Sequence, residues 1–443
     1  MAYSADLRLR SPSAQMLALP WERRLEDWDD TVADLREMKV GPSRHLVRFV
    51  QADGRLWAIK QLPQRVAHKE YTVLRDLEAR NLPAVRAVGL VQQPEQGNAL
   101  LVTRYLERSW QFRRLLLRLP PNRPRQRARL LDAMAGLLVD LHRSGVYWGD
   151  CSLANTLFSR DGQRLQAWLV DAETSEVHRT LSPGQRAQDL EIMVENVAGG
   201  LLDLAVMLDR PEEIYDQLVQ EATEVAPRYE SLWQLLHEEP LFGFDDRLEV
   251  QLRIRRLNEL GFAVEEVDLA PAGSGDDRLR LRVGVAARSY HAGELFELAG
   301  IRVGEGQARE LLADLQSFQA THPELTSERD PVAGGSLPAP SVQRWIETVL
   351  RPGMSRAYES IGRIGDPVQA YCDLLEVRWL LSEQQGRDVG DAVALEALAS
   401  RSQPTDSAAM AVVAEADTVT MERPTREQVD AASRRGLAAQ IDV

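Results

Sequence analysis

The chain has 443 residues, 44% hydrophobic and 27% charged, a soluble globular balance that excludes a wholly disordered chain and suffices for about two or three domains. Its net charge of −14 opposes wholesale nucleic-acid binding, although a local basic stretch still suits an anion. No run is long and uncharged enough to span a bilayer, the N-terminus lacks a signal-peptide pattern, and Cys151 and Cys372 have no metal-ligand spacing, so the expected setting is cytoplasmic with both thiols reduced.

The first stretch, to about residue 40, contains WERRLEDWDDTVADLREMK and reads as a helical or irregular extension before the turn-like GPSR. HLVRFV and LWAIKQL are rich in β-branched and aromatic residues, and the Asp53-Gly54 pair between them predicts an antiparallel hairpin. VAHKEYTVLRDLEARN places Val66, Val73, Leu74 and Leu77 near helical spacing, and NALLVTRYL predicts another strand. These elements make a small antiparallel lobe.

From Glu107 to Leu130, eight arginines accompany one acid, which fits a solvated helical surface or a patch beside a phosphate-bearing substrate. RQRARLLDAMAGLLVDLHRSG then carries Leu130, Leu131, Met134, Leu137, Leu138 and Leu141 on one helical face, with Gly145 as its stop. His142, near that helix's C-terminus, reads as a dipole contact, and Cys151 as a small buried residue. TLFSRDGQRLQAWLV predicts a hairpin turning at Asp161-Gly162. DLEIMVENVAGGLLDLAVMLD predicts an apolar helix with Asp189 suited to its N-cap and Gly199-Gly200 to a kink or a close contact.

Beyond about Leu241 the pattern becomes that of a separate α+β unit: a helix in RLEVQLRIRRLNELG, then strands in FAVEEVDLA and DRLRLRVGVAARS around PAGSGDD. HAGELFELAG and EGQARELLADLQSFQ superficially suggest a helix-turn-helix, but Glu305, Arg309, Glu310 and Asp314 are a poor surface for DNA, so a packing role is expected. ATHPELTSERDPVAGGSLPAP reads as a linker; SVQRWIETVL and DPVQAYCDLLEVRWLLSEQQ read as helices, the latter opened by Asp366 as N-cap and Pro367 as its first residue. The expected organisation is an extension over 1–40, a first lobe over 41–106, a second over 107–240, an α+β unit over 241–386 and a loosely ordered tail over 387–443.

Only Lys39, Lys60 and Lys69 among 53 basic residues are lysine, so Lys60, at the end of WAIK, suggests a site that wants a compact ammonium. Asp150, Asn155 and Asp171 flank the second hairpin, either as a catalytic centre or as a polar connection between strands. Two carboxylates and an amide suit magnesium, and phosphoryl transfer needs a lysine on the phosphates, metal-binding oxygens and a carboxylate near the attacking hydroxyl. Glu70, on the helix after Lys60, is the lysine's natural ion-pair partner.

In this order the residues resemble the protein-kinase-like fold, in its bacterial lipopolysaccharide-kinase and small-molecule-kinase branch, over roughly Ser43 to Leu208. WAIK matches V-A-I-K, GDCSLAN matches the catalytic loop D-x-x-x-x-N, and LVDAE sits where D-F-G would. The whole chain also resembles an uncharacterised bacterial family in which such a region is joined to a C-terminal domain of unknown function. The resemblance implies a bilobal α+β fold, with an antiparallel N-lobe and a helical C-lobe, that uses ATP and magnesium. It implies Asp150 as the base, Asn155 and Asp171 as metal ligands, and Lys60 on the α- and β-phosphates. Glu70 would orient Lys60, and Asp189 would brace the catalytic loop.

The departures are specific. No G-x-G-x-x-G precedes Lys60, and VGPSRH, with Gly41, Ser43, Arg44 and His45, is the only candidate phosphate-covering turn. Trp148-Gly149 stands where a protein kinase has His-Arg, and Ala172-Glu173 where it has Phe-Gly. The leading expectation is a phosphotransferase acting on a hydroxyl of a sugar, glycolipid or protein; the alternatives are a pseudokinase that holds a partner and a nucleotidyltransferase on the same fold. The expected partners are ATP, that acceptor and a protein bound through the C-terminal unit.

Overall fold

The computed structural model describes residues 6–10, 12–38, 44–93, 97–112, 115, 124–243, 247–271, 278–325, 339–400, 402 and 407. Gly41 and Ser43, the PAGSGDD loop from residue 272, most of the linker after residue 325 and most of the stretch beyond residue 400 lie outside the described residues, as does part of the arginine-rich segment.

The N-lobe is a six-stranded antiparallel sheet in the order β1-β5-β6-β4-β3-β2. Its strands are β1 (Asp6–Leu9), β2 (Leu35–Arg36), β3 (Val47–Ala52), β4 (Arg55–Pro63), β5 (Ala87–Gln93) and β6 (Asn98–Arg104). Asp53 and Gly54 both take positive φ in the two-residue turn between β3 and β4, the backbone that an Asp-Gly hairpin favours. Helix α1 (Gln64–Ala79) starts directly after β4 and packs on one face of the sheet. Alternation along β4 sends Trp57 and Ile59 to the opposite face and Leu62 to the α1 side.

The extension is not a separate leader. It contributes β1 and β2 as the two edge strands, and its Met16, Trp21, Leu25 and Trp28 cover Trp57, Ile59, Val91, Leu100 and Val102 on the sheet face away from α1. Burying those apolar side chains outweighs the absence of helical periodicity in the extension. Strand β5 is an element that the sequence pattern does not announce.

The second lobe is built on α2 (Pro124–Arg143) and α3 (Pro183–Met207), with α4 (Tyr215–Thr223) and α5 (Val225–His237) packed around them. β7 (Ser109–Gln111) pairs with β9 (Thr156–Asp161), which forms the hairpin with β10 (Arg164–Leu169); β8 (Val146–Tyr147) pairs with β11 (Glu176–Val177). The hairpin register pairs Asp161 with Arg164, so the turn is Gly162-Gln163, one residue later than expected. Helix α3 begins six residues before Asp189: Ser182 is its N-cap, in a capping box with Gln185. Asp189 is therefore inside the helix rather than at its cap.

The unit expected after residue 240 packs against the second lobe. β12 (Leu241–Gly243), α6 (Arg247–Glu259), β13 (Phe262–Pro271) and β14 (Arg278–Arg288) follow α5. Leu257 and Phe262 are buried in the same core as α2 and α3, with Val264, Val283 and Val285 packed against it. Only the helices after β14 have their own core: α7 (Tyr290–Ala299), α8 (Glu305–Thr321), α9 (Pro340–Trp345), α10 (Arg351–Ser360), α11 (Pro367–Gln385) and α12 (Gly390–Ala399). Leu295 of α7 and Leu311, Leu312 and Leu315 of α8 are buried there, so the α7–α8 pair packs as a helical hairpin. Helix α12 stands where a loose tail was expected, because Ala394, Ala397 and Leu398 complete this core. Asp366 caps α11, accepting from Val368 N at 3.2 Å, and Pro367 is its first residue.

Candidate active site

Lys60 projects from β4 on the α1 side of the sheet, between Val47 of β3 and Leu101 of β6 in register. Because α1 follows β4 with no intervening loop, Glu70 in its second turn faces back toward that strand. Lys60 Nζ donates to Glu70 Oε2 at 3.1 Å and to Asp171 Oδ2 at 2.6 Å. Glu70 is only 1% exposed, and its other oxygen accepts from Ala172 N at 3.5 Å. The three residues come from a strand, a helix and the segment after β10, and Lys60 and Asp171 are 111 positions apart.

One cation thus serves two carboxylates. Burial opposes the charge on Lys60, but Glu70 and Asp171 more than offset it and raise the lysine pKa. Burial, reinforced by the Asp171 charge, pushes Glu70 up to about 7 against the pull of Lys60.

The loop from Trp148 to Asn155 is held from below by Asp189. Its Oδ2 accepts from Trp148 N at 2.6 Å and its Oδ1 from Gly149 N at 2.8 Å. Gly149 has φ of 80°, a backbone that any side chain would strain. His142 Nε2 lies 3.1 Å from Asp189 Oδ2, and its Nδ1 lies 2.8 Å from the Tyr229 hydroxyl. Burial lowers the His142 pKa against the opposing effect of Asp189, so a neutral imidazole donates to Asp189 and accepts from Tyr229. The sequence reading of His142 as a helix-dipole contact is replaced by this hub. Trp148 is fully buried, and its carbonyl accepts from Thr174 Oγ1 at 2.9 Å and Ser175 Oγ at 3.1 Å, which ties the loop to the segment after Asp171.

Asp150 and Asn155 occupy the two ends of this loop. Asn155 Nδ2 donates to Asp150 Oδ2 at 3.0 Å, which leaves the amide oxygen as the acceptor available to a cation. The β9–β10 hairpin connects Asn155, immediately before β9, to Asp171, two residues after β10, and Val170 N donates to Asn155 O at 3.0 Å. Among the described residues, no three of His, Cys, Asp and Glu converge as a preformed cage. A carboxylate plus an amide oxygen nevertheless fits magnesium, which takes few protein ligands and leaves positions for waters and phosphates.

Of the proposed phosphate-covering turn, Arg44 is exposed and His45 Nε2 reaches Glu173 Oε2 at 3.1 Å. This His45–Glu173 contact bridges the lobes beside Asp171 and had no local signal in the sequence. Cys151 is buried, and burial together with Asp189 raises its thiol pKa, which makes it a poor nucleophile.

A two-lobed α+β fold with a lysine strand, a paired acidic helix residue, a D-x-x-x-x-N loop and a hairpin-borne aspartate defines the kinase-like class. Residues 52–205 match the model of the lipopolysaccharide kinase (Kdo/WaaP) family, and residues 231–401 match a domain of unknown function, DUF4032. The two matched stretches follow one another along the chain without overlap. A solved structure described as WaaP in complex with acyl carrier protein is 20% identical, over 52% of this chain and 99% of that one, with a TM-score of 0.33. No curated protein matches the chain significantly. Among the described residues no helix is long and apolar enough to cross a membrane.

Proposed function

We propose that the protein is an ATP- and magnesium-dependent phosphotransferase that moves the γ-phosphate to a hydroxyl of a sugar, glycolipid or protein acceptor. The observation that carries this reading is Lys60 bonded at once to Glu70 and Asp171 from three separate elements. In it, Glu70 holds the ammonium, which supplies the charge for the α- and β-phosphates of ATP. The amide oxygen of Asn155 and the carboxylate of Asp171 would hold magnesium, which when bound offsets charge on the transferred phosphate. Asp150 accepts the proton of the acceptor hydroxyl as its oxygen attacks phosphorus and the bond to the ADP oxygen breaks. Asp189 keeps Asp150 in position through the Trp148 and Gly149 amides. The C-terminal unit shapes acceptor choice, and ATP as donor sets the reaction in the cytoplasm.

The test is ATP turnover and magnesium-dependent ATP binding by the full chain beside Asp150→Asn. Turnover lost in the variant with binding retained supports the reading. A wild-type protein that neither binds nor hydrolyses ATP with any divalent ion rejects it in favour of a scaffold. Mass spectrometry of the products distinguishes a phosphate adduct from a nucleotidyl adduct.

A further inference from the structure

A cleft of about 750 Å³ lies away from the kinase-like site, between the β9–β10 hairpin, the end of α2, the loop after α1 and the C-terminal helices. That volume is in the range of small-molecule sites, roughly 300–1,000 Å³. Its apolar wall includes Leu82, Trp110, Trp168 and Ile361, and both arginines and acids line the rest.

Arg80, Arg143 and Arg164 donate to backbone carbonyls rather than to carboxylates. Arg143 donates to the carbonyls of Val285 (2.7 Å) and Ala286 (3.4 Å), and Arg164 to those of Leu260 and Glu259, both at 3.1 Å. Arg80, at the exposed rim, donates to the Ser144 carbonyl. Arg288 stacks on Phe262, and its buried Nε has no hydrogen-bond partner, with Asp140 at 3.6 Å.

The other acids of the cleft are engaged elsewhere. Asp161 accepts from Gly306 N and Gln307 N at the start of α8, Glu305 from His291 and Ala292, and Asp366 caps α11. Asp373 is paired with Arg160 at 2.5 Å, and Glu78 with Arg10; Glu107 is exposed. Asp140 is left to answer Arg143 and Arg288 together. Burial, with Arg309 and Arg288 as like-charged neighbours, brings the Arg164 pKa down to about 10 although Glu305 and Asp161 pull it up.

We propose that this cleft binds a small phosphorylated molecule, its phosphate held by Arg80, Arg143, Arg164 and Arg288 and its organic part against Trp168. The guanidinium fork matches phosphate oxygens in pairs, and the indole suits a ring. The cleft adjoins the site without being part of it. Six-residue strands separate the hairpin turn from Asn155, roughly 20 Å at about 3.4 Å per residue. The loop after α1 is bonded to the last residue of β10, through Val85 N to Leu169 O and Leu169 N to Pro83 O, both at 2.9 Å. A ligand there would bear on Asp171 through the same segment.

The experiment is calorimetric titration of the full chain with phenyl phosphate, in wild type, Lys60→Ala, Arg80→Gln and Arg164→Gln. Lys60→Ala removes the cation of the kinase-like site, so equal binding by wild type and Lys60→Ala assigns the heat to the cleft. Arg164→Gln should lose binding, and Arg80→Gln should weaken it about tenfold. Arg80 is exposed, so its variant decides the matter even where Arg164→Gln fails to fold. Absence of binding at millimolar ligand, undiminished binding in Arg80→Gln, or loss in Lys60→Ala would overturn the proposal.

Discussion

Lys60 Nζ sits closer to Asp171 Oδ2, at 2.6 Å, than to Glu70 Oε2, at 3.1 Å. The cation is shared across the lobes, with the buried carboxylate behind it. A planar guanidinium cannot reproduce a point charge between two acids at these distances. Lys60→Arg is therefore expected to weaken ATP binding about tenfold or more, some 1.4 kcal/mol, as read by equilibrium titration. Unchanged affinity and rate would remove Lys60 from the nucleotide site.

Glu70 carries a pH signature. Its pKa rises from the 4.5 of an unperturbed glutamate to about 7, so the native state binds this proton more tightly than the unfolded chain. The associated stability is fully present below 4.5 and is lost as pH rises through about 7. In metal-free buffer, urea midpoints of wild type should fall across that window. Those of Glu70→Gln should fall less; parallel curves would contradict the assignment.

Asp189→Ala should be strongly destabilising. It strands the buried Trp148 and Gly149 amides and the His142 Nε2–H donor, at about 1–3 kcal/mol for each unsatisfied group. A loss of about 3 kcal/mol or more in chemical denaturation is expected. A loss below about 1 kcal/mol would mean that the loop does not depend on this carboxylate.

At the far end of the hairpin, Asp161 caps α8 through Gly306 N at 2.8 Å and Gln307 N at 3.0 Å. Asp161→Ala should cost about 1–2 kcal/mol, with faster amide hydrogen exchange at Gly306 and Gln307. Gly306→Ala should be worse, because its Cβ would overlap the Asp161 carbonyl. If exchange at the start of α8 is unchanged in both variants, the hairpin and the C-terminal helices are not joined there.

Local chemistry made much of the molecule legible. Asp53-Gly54 announces its hairpin, Asp366-Pro367 its helix, and the leucine spacing after Leu130 its buried face, because each is an interaction among near neighbours. Ser182 caps α3, where the sequence pattern points to Asp189. An aspartate ahead of an apolar run looks like a cap, and only the fold shows its carboxylate turned to Trp148 and Gly149. The edge strands β1 and β2 and helix α12 were likewise illegible. What orders them is apolar surface on distant elements, such as Leu100 and Val102 beneath Trp21 and Trp28.

By itself the sequence determined the order of chemical types: a rare lysine in a strand, an acid on the next helix, then Asp150, Asn155 and Asp171 around a hairpin. Order along a chain constrains which groups are able to meet, not whether they do. The tertiary structure decided that Lys60 bridges Glu70 and Asp171, that His142 and Asp189 support the loop, and that β13–β14 packs into the kinase-like core. Those contacts join residues far apart in the chain, whose approach depends on burial and packing that no local pattern records.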